Sequence, residues 1–61
     1  MNAKYLITTD TYDKGVNALC VSKIENGVVE VILLDKIRDD KEFEKQVILL
    51  SKQYNARIIR G

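Results

Sequence analysis

Only one stretch of this 61-residue chain has the period of a helix, and it follows three stretches with the character of strands. Residues 4 to 9 alternate Tyr5, Ile7 and Thr9 with Leu6 and Thr8, and β-branched or aromatic side chains dominate the run. Residues 17 to 25 carry Leu19, Val21 and Ile24 as their main apolar content. Glu25-Asn26-Gly27 is then a hairpin signal, because Asn and Gly tolerate the positive φ of a tight turn. Residues 28 to 37 form the third run, with Val29, Val31 and Leu33 expected on one face and Ile32 and Leu34 on the other. Both faces of that strand are apolar at its middle, which is unusual for a sheet wetted on one side.

The helix is bounded by its own chemistry. Asp39 fits the N-cap, Glu42 stands where it would complete a capping box, and Asp40 puts negative charge near the positive end of the helix dipole. Phe43, Val47, Leu50 and Tyr54 step by four, three and four, which draws one apolar face. Ile48 and Leu49 widen the stripe, so more than one side of the helix is expected to meet protein. Asn55 is a stop, and Ala56-Arg57-Ile58-Ile59 reads as a short fourth strand. The expected fold class is α/β in the order β-β-β-α-β. An antiparallel three-stranded meander leads to one crossover helix, which returns the chain to a fourth strand parallel to the first. One helix covers one face of such a sheet, and nothing else in the chain can cover the other. A second copy or another protein over the open face is the expected remedy. Residues 1–61 read as a single minimal or partial domain, with no repeat, no proline and no low-complexity tract to mark a boundary.

Composition excludes several chemistries. The chain has no His, which removes imidazole bases, His-based zinc sites and Ser-His or Cys-His nucleophile pairs. Cys20 is the only cysteine and sits in the apolar run Ala18-Leu19-Cys20-Val21, as a small buried hydrophobe would. Ten basic residues against nine acidic give a net charge of +1, so overall charge makes no case for nucleic acid or an anionic membrane. No apolar run approaches the ~18–20 residues of a membrane span. Met1-Asn2-Ala3-Lys4 leads into a strand and not into a signal peptide. The expected location is the cytoplasm.

The candidate for chemistry is Asp10. It closes the apolar run Tyr5-Leu6-Ile7-Thr8-Thr9-Asp10, just before the polar turn Thr11-Tyr12-Asp13-Lys14-Gly15 and the run Asn17-Ala18-Leu19-Cys20-Val21. A carboxylate at the end of a first strand, beside a turn, is how ribonuclease-H-like nucleases hold a metal ion. In order and spacing, nearly the whole chain resembles the opening of the nuclease domain of tailed-phage large terminase subunits. Holliday-junction resolvases and actin-like or sugar-kinase ATPases share that opening. The ATPase branch places glycines after the first Asp, where Thr11 and Tyr12 stand here, and the chain has no phosphate-binding glycine motif.

The resemblance implies a ribonuclease-H-like half-fold and Mg²⁺ or Mn²⁺ as cofactor. It gives Asp10 the role of a catalytic metal ligand, with DNA as substrate during viral genome packaging in the cytoplasm of an infected host. Hard divalent cations take oxygen ligands, and two of them ~3.5–4 Å apart clamp the attacking and leaving oxygens of a phosphodiester. One Asp cannot do this alone. The family's second acid sits at or just past the end of the fourth strand, where this sequence has Arg60-Gly61, and its third comes from a later helix. The expectation is therefore an inactive module: a piece of such a nuclease, or a small protein that reuses the first half of its fold. The alternative is a non-catalytic interaction or oligomerisation module of viral or mobile-element origin.

The other polar residues have simpler readings. Asp13 as a second ligand competes with a turn-forming role in Asp13-Lys14-Gly15. Lys14 could touch a phosphate and Tyr12 could stack on a base. Arg57 and Arg60 could face DNA phosphates, or could simply protect an edge strand from aggregation. Asp39 and Asp40 are accounted for by helix capping.

Overall fold

The structure is a computed structural model that describes residues 3–12 and 15–60, without the side chain of Tyr12. It contains strands β1 (Lys4–Tyr12), β2 (Val16–Glu25) and β3 (Val28–Ile37), helix α1 (Asp40–Tyr54) and strand β4 (Arg57–Arg60). The four strands form one mixed sheet in the order β3-β2-β1-β4. Strands β1 and β2 are antiparallel, as are β2 and β3, while β4 runs parallel to β1 with Ile7 opposite Ile58. The element order and the parallel fourth strand agree with expectation. Strand β1 reaches two residues past Asp10, so the acid lies within the paired strand and not at its last residue.

The turns follow from backbone chemistry. Asn26 and Gly27 have φ of 53° and 77°, the paired positive values that a tight two-residue hairpin requires. At the helix start, Asp39 Oδ1 accepts the N–H groups of Lys41 and Glu42 at 2.9 and 3.0 Å. These satisfy donors that a helix leaves without internal partners. Glu42 does not close a capping box; its carboxylate accepts from Gln46 Nε2 at 3.2 Å. At the other end Asn55 turns left-handed, with φ 51° and ψ 46°. The Ala56 N–H then reaches back to the Ser51 carbonyl at 2.9 Å, as in a Schellman ending.

The core lies between the helix and one sheet face. Ile7, Leu19 and Val21 of the sheet and Phe43 and Val47 of the helix are buried together. Leu33, Ile37, Leu50, Tyr54, Ala56 and Ile58 close around them. Tyr54 packs its ring against Tyr5 with centroids 5.1 Å apart, seating the end of the helix on the start of β1.

Strand β3 departs from simple alternation. Val21 pairs with Leu33, but Ser22 pairs with Val31, so Ile32 is the extra residue of a bulge. Leu33 therefore faces the helix, whereas Val29 and Val31 share the opposite face with Leu34. The expected grouping of Val29 and Val31 with Leu33 is corrected by that one-residue slip. Cys20 is only partly buried, on the same open face.

The helix is also shorter than the hairpin. Fifteen helical residues span about 22 Å, and ten strand residues about 33 Å. The tip of the β2–β3 hairpin thus extends past the helix, and Val28 and Val29 are exposed there. Ile48 and Leu49 are exposed as well, so only one side of α1 meets protein here. No helix among the described residues is long and apolar enough to cross a membrane.

Leu19→Ala removes a side chain that is 1% exposed and is expected to cost about 2–5 kcal/mol. Asp39→Ala should cost about 0.5–2 kcal/mol through the lost cap. Leu34→Ala, on the open face, should stay within about 0.5 kcal/mol. Urea unfolding followed by circular dichroism measures all three. An equal cost for Leu34 and Leu19 would contradict the one-sided core.

Candidate functional site

The two faces of the sheet present different chemistry at the end where β1 finishes. Ile7 and Thr9 share the helix face with their partners Val21 and Leu19, so Asp10, one residue on, lies on the open face opposite Ala18. Asp10 is exposed, and its Oδ1 accepts the N–H of Thr11 at 2.9 Å. Lys36 lies in the same row of the sheet, one strand beyond Ala18.

The helix face of the same end is occupied by a polar junction. Asn17 is 5% exposed and serves as its hub. Its side-chain oxygen accepts from Thr11 Oγ1 at 3.1 Å. Its Nδ2 donates to the Ile37 carbonyl at 3.1 Å and to Asp40 Oδ1 at 2.9 Å. One buried amide thereby ties the end of β1, the start of β2, the end of β3 and the start of α1. A buried amide needs its partners close by, and this one has them.

Beside the junction, Arg60 of β4 makes a two-pronged contact with Glu44 of α1. Nη1 donates to Oε1 at 2.6 Å and Nη2 to Oε2 at 3.0 Å. The guanidinium hydrogen bond, followed by its charge, holds the Glu44 carboxyl below its ordinary value of 4.5, and the Arg60 value rises in return. Thr9, Thr11, Asn17, Asp40, Phe43, Glu44 and Arg60 line a cleft of about 410 Å³ between helix and sheet.

Asp10 is thus separated by the sheet from Asp40 and Glu44. Among the described residues, no three His, Cys, Asp or Glu side chains come together in a way that could hold a metal ion. Asp13 and Lys14 lie outside the described residues, as does the Tyr12 side chain. Arg60 is engaged with Glu44, and Arg57 projects on the open face opposite Leu6. Asn17 and Glu44 are the residues that the sequence did not single out. Asn17 gave one signal, a strongly polar residue opening an apolar strand. The Glu44–Arg60 contact depends on a sixteen-residue separation that no local pattern reports.

The ion pair has a definite pH signature. A carboxyl lowered in the folded state contributes stability above its unfolded value, and the contribution is lost as pH falls through the lowered folded value. Following the Glu44 side chain by NMR should give a midpoint below 4.5, and Arg60→Met should return it toward that value. An unchanged midpoint in Arg60→Met would contradict the pairing.

No protein-family model matches the sequence, and no curated protein or solved structure shows a significant match to the chain.

Proposed function

We propose that this chain is a ribonuclease-H-like module related to the nuclease domain of tailed-phage terminases. In this role Asp10 contributes the first carboxylate of a divalent-metal site, and the module does not cleave DNA unaided. The observation that supports the reading is topological. The order β3-β2-β1-β4, with β1 parallel to β4, brings the ends of β1 and β4 to one edge of the sheet, with Thr9 opposite Arg60. An acid in β1 and a second acid following β4 would meet at that edge, which is where such a nuclease needs them. Mg²⁺ or Mn²⁺ would take oxygen ligands from both, and DNA is the substrate class that the reading carries. Its place of action would be the cytoplasm of an infected host.

A lone exposed carboxylate binds such ions weakly, so the test needs a sensitive probe. Mn²⁺ broadens nearby amide signals through its unpaired electrons. Broadening should centre on Asp10, Thr11 and Ala18 and disappear in Asp10→Ala. Broadening that is absent at millimolar Mn²⁺, or indifferent to Asp10→Ala, would remove the metal reading. Plasmid DNA incubated with the isolated chain and Mg²⁺ should remain uncut. Cleavage abolished by Asp10→Ala would instead make the chain a complete nuclease.

A second reading is favoured by a separate observation. The sheet face away from the helix is apolar and uncovered, which suits a module that works by binding another protein through that face.

A further inference from the structure

We infer that two copies of this chain pair through their open sheet faces, related by a two-fold axis that lies between the sheets and runs across the strands. The inference rests on the interaction reading, which it commits to a second copy, and it does not use metal at Asp10.

Charge comes first. The open-face residues of β1 are Lys4, Leu6, Thr8 and Asp10, so the row begins with a cation and ends with an anion. Arg57 stands beside Leu6 on β4 and adds to the positive end. Lys4, Asp10 and Arg57 are exposed, and among the described residues none of the three belongs to an ion pair. Lys4 and Asp10 stand about 20 Å apart along the strand, too far to meet within one chain. A second copy laid face to face across that axis reverses the row. Lys4 of each copy then stands over Asp10 of the other, and the same contact forms twice. A two-fold axis along the strands would instead bring the two positive ends together, and likewise the two Asp10 ends. Charge therefore selects one of the two face-to-face arrangements.

Apolar contact follows from the same register. The rows that carry Leu6 and Thr8 on β1 carry Val31 and Leu34 on β3, and Arg57 and Ile59 on β4. Setting Lys4 over Asp10 thus sets Leu6 over Thr8, Leu34 over Val31, and Ile59 over the aliphatic stem of Arg57. Val31 and Leu34 are each more than half exposed in the single chain. The charges on β1 and the bare apolar side chains on β3 therefore ask for the same alignment. Sheets packed face to face keep their strands within about 30° of each other and about 10 Å apart, a gap that Lys and Asp side chains close. Strands about 4.8 Å apart and about 30 Å long give a four-stranded face on the order of 500 Å². Two such faces reach the roughly 1,000 Å² of a specific interface.

Sedimentation equilibrium in EDTA tests this. At about 100 µM the wild type should be a dimer that dissociates on dilution. Cys20, the only cysteine in the chain, lies on the same face, so its alkylation should be slower in the dimer than in the dilute chain. Asp10→Lys should weaken pairing about tenfold or more, and so should Lys4→Glu with Arg57→Glu, since each sets like charges in register. Mixed in equal amounts, the two variants should form a one-to-one heterodimer, because each then supplies the charge that the other lacks. General stickiness cannot produce that result. All three positions are exposed, so the circular dichroism spectra should be unchanged. A monomeric wild type would leave the face to a different protein and overturn the inference. Variants that pair as tightly as the wild type, a mixture no tighter than its components, or a dimer with Cys20 alkylated at the monomer's rate would each overturn it as well. With EDTA present, none of these results bears on Mn²⁺ at Asp10.

Discussion

One helix lies across one face of a four-stranded sheet, and the rest of the structure depends on that contact. Ile7, Leu19 and Val21 lose water only because Phe43 and Val47 cover them. A domain of 61 residues has little other apolar area to bury. The geometry of a single cover also explains what stays open. Among the described residues no element meets the opposite face, and the hairpin tip extends past the helix end. The exposed valines and leucine of β3 follow from the ratio of one helix to four strands and need no separate cause.

Polar contacts fix how the helix enters and where the sheet ends. Asn17 joins the ends of four elements through a single side chain, so the helix begins at a defined place over the sheet. The Arg60–Glu44 contact fastens the short strand β4 to the helix that delivers it. Both contacts lie on the helix face. They leave Asp10 on the other side, projecting from a strand whose next residue back belongs to the polar cleft. Alternation along β1 is therefore the fact that decides which chemistry Asp10 can join. A ligand reaching it must come from the open face or from beyond the sheet edge.

Much of this was legible in the sequence for local reasons. The helix could be placed because Asp39 and Asn55 mark its ends and Phe43, Val47, Leu50 and Tyr54 mark its face. The parallel fourth strand followed from the connection rule for a single crossover. The bulge at Ile32 was not legible, because alternation within one strand contains no information about the register of its partner. The outward turn of Val29 and Val31 was missed for that reason. Exposure of Ile48 and Leu49 was missed because an apolar residue on a helix states a preference and not the presence of a neighbour. The candidate site was half legible. Asp10 stood out by position, but Asn17 and Glu44 acquire their roles only from long-range contacts.

The central claim is that β1 is an interior strand, paired on both edges, so that Asp10 sits beside the end of β4. Successive amides of β1 point alternately toward β2 and toward β4. Hydrogen exchange of the amides from Leu6 to Thr9 tests this most directly. The account predicts protection in both alternating sets, with the set facing β4 lost when Ile58→Pro distorts that short strand and breaks its pairing, while the set facing β2 persists. Protection confined to the amides facing β2 would make β1 an edge strand and contradict the account.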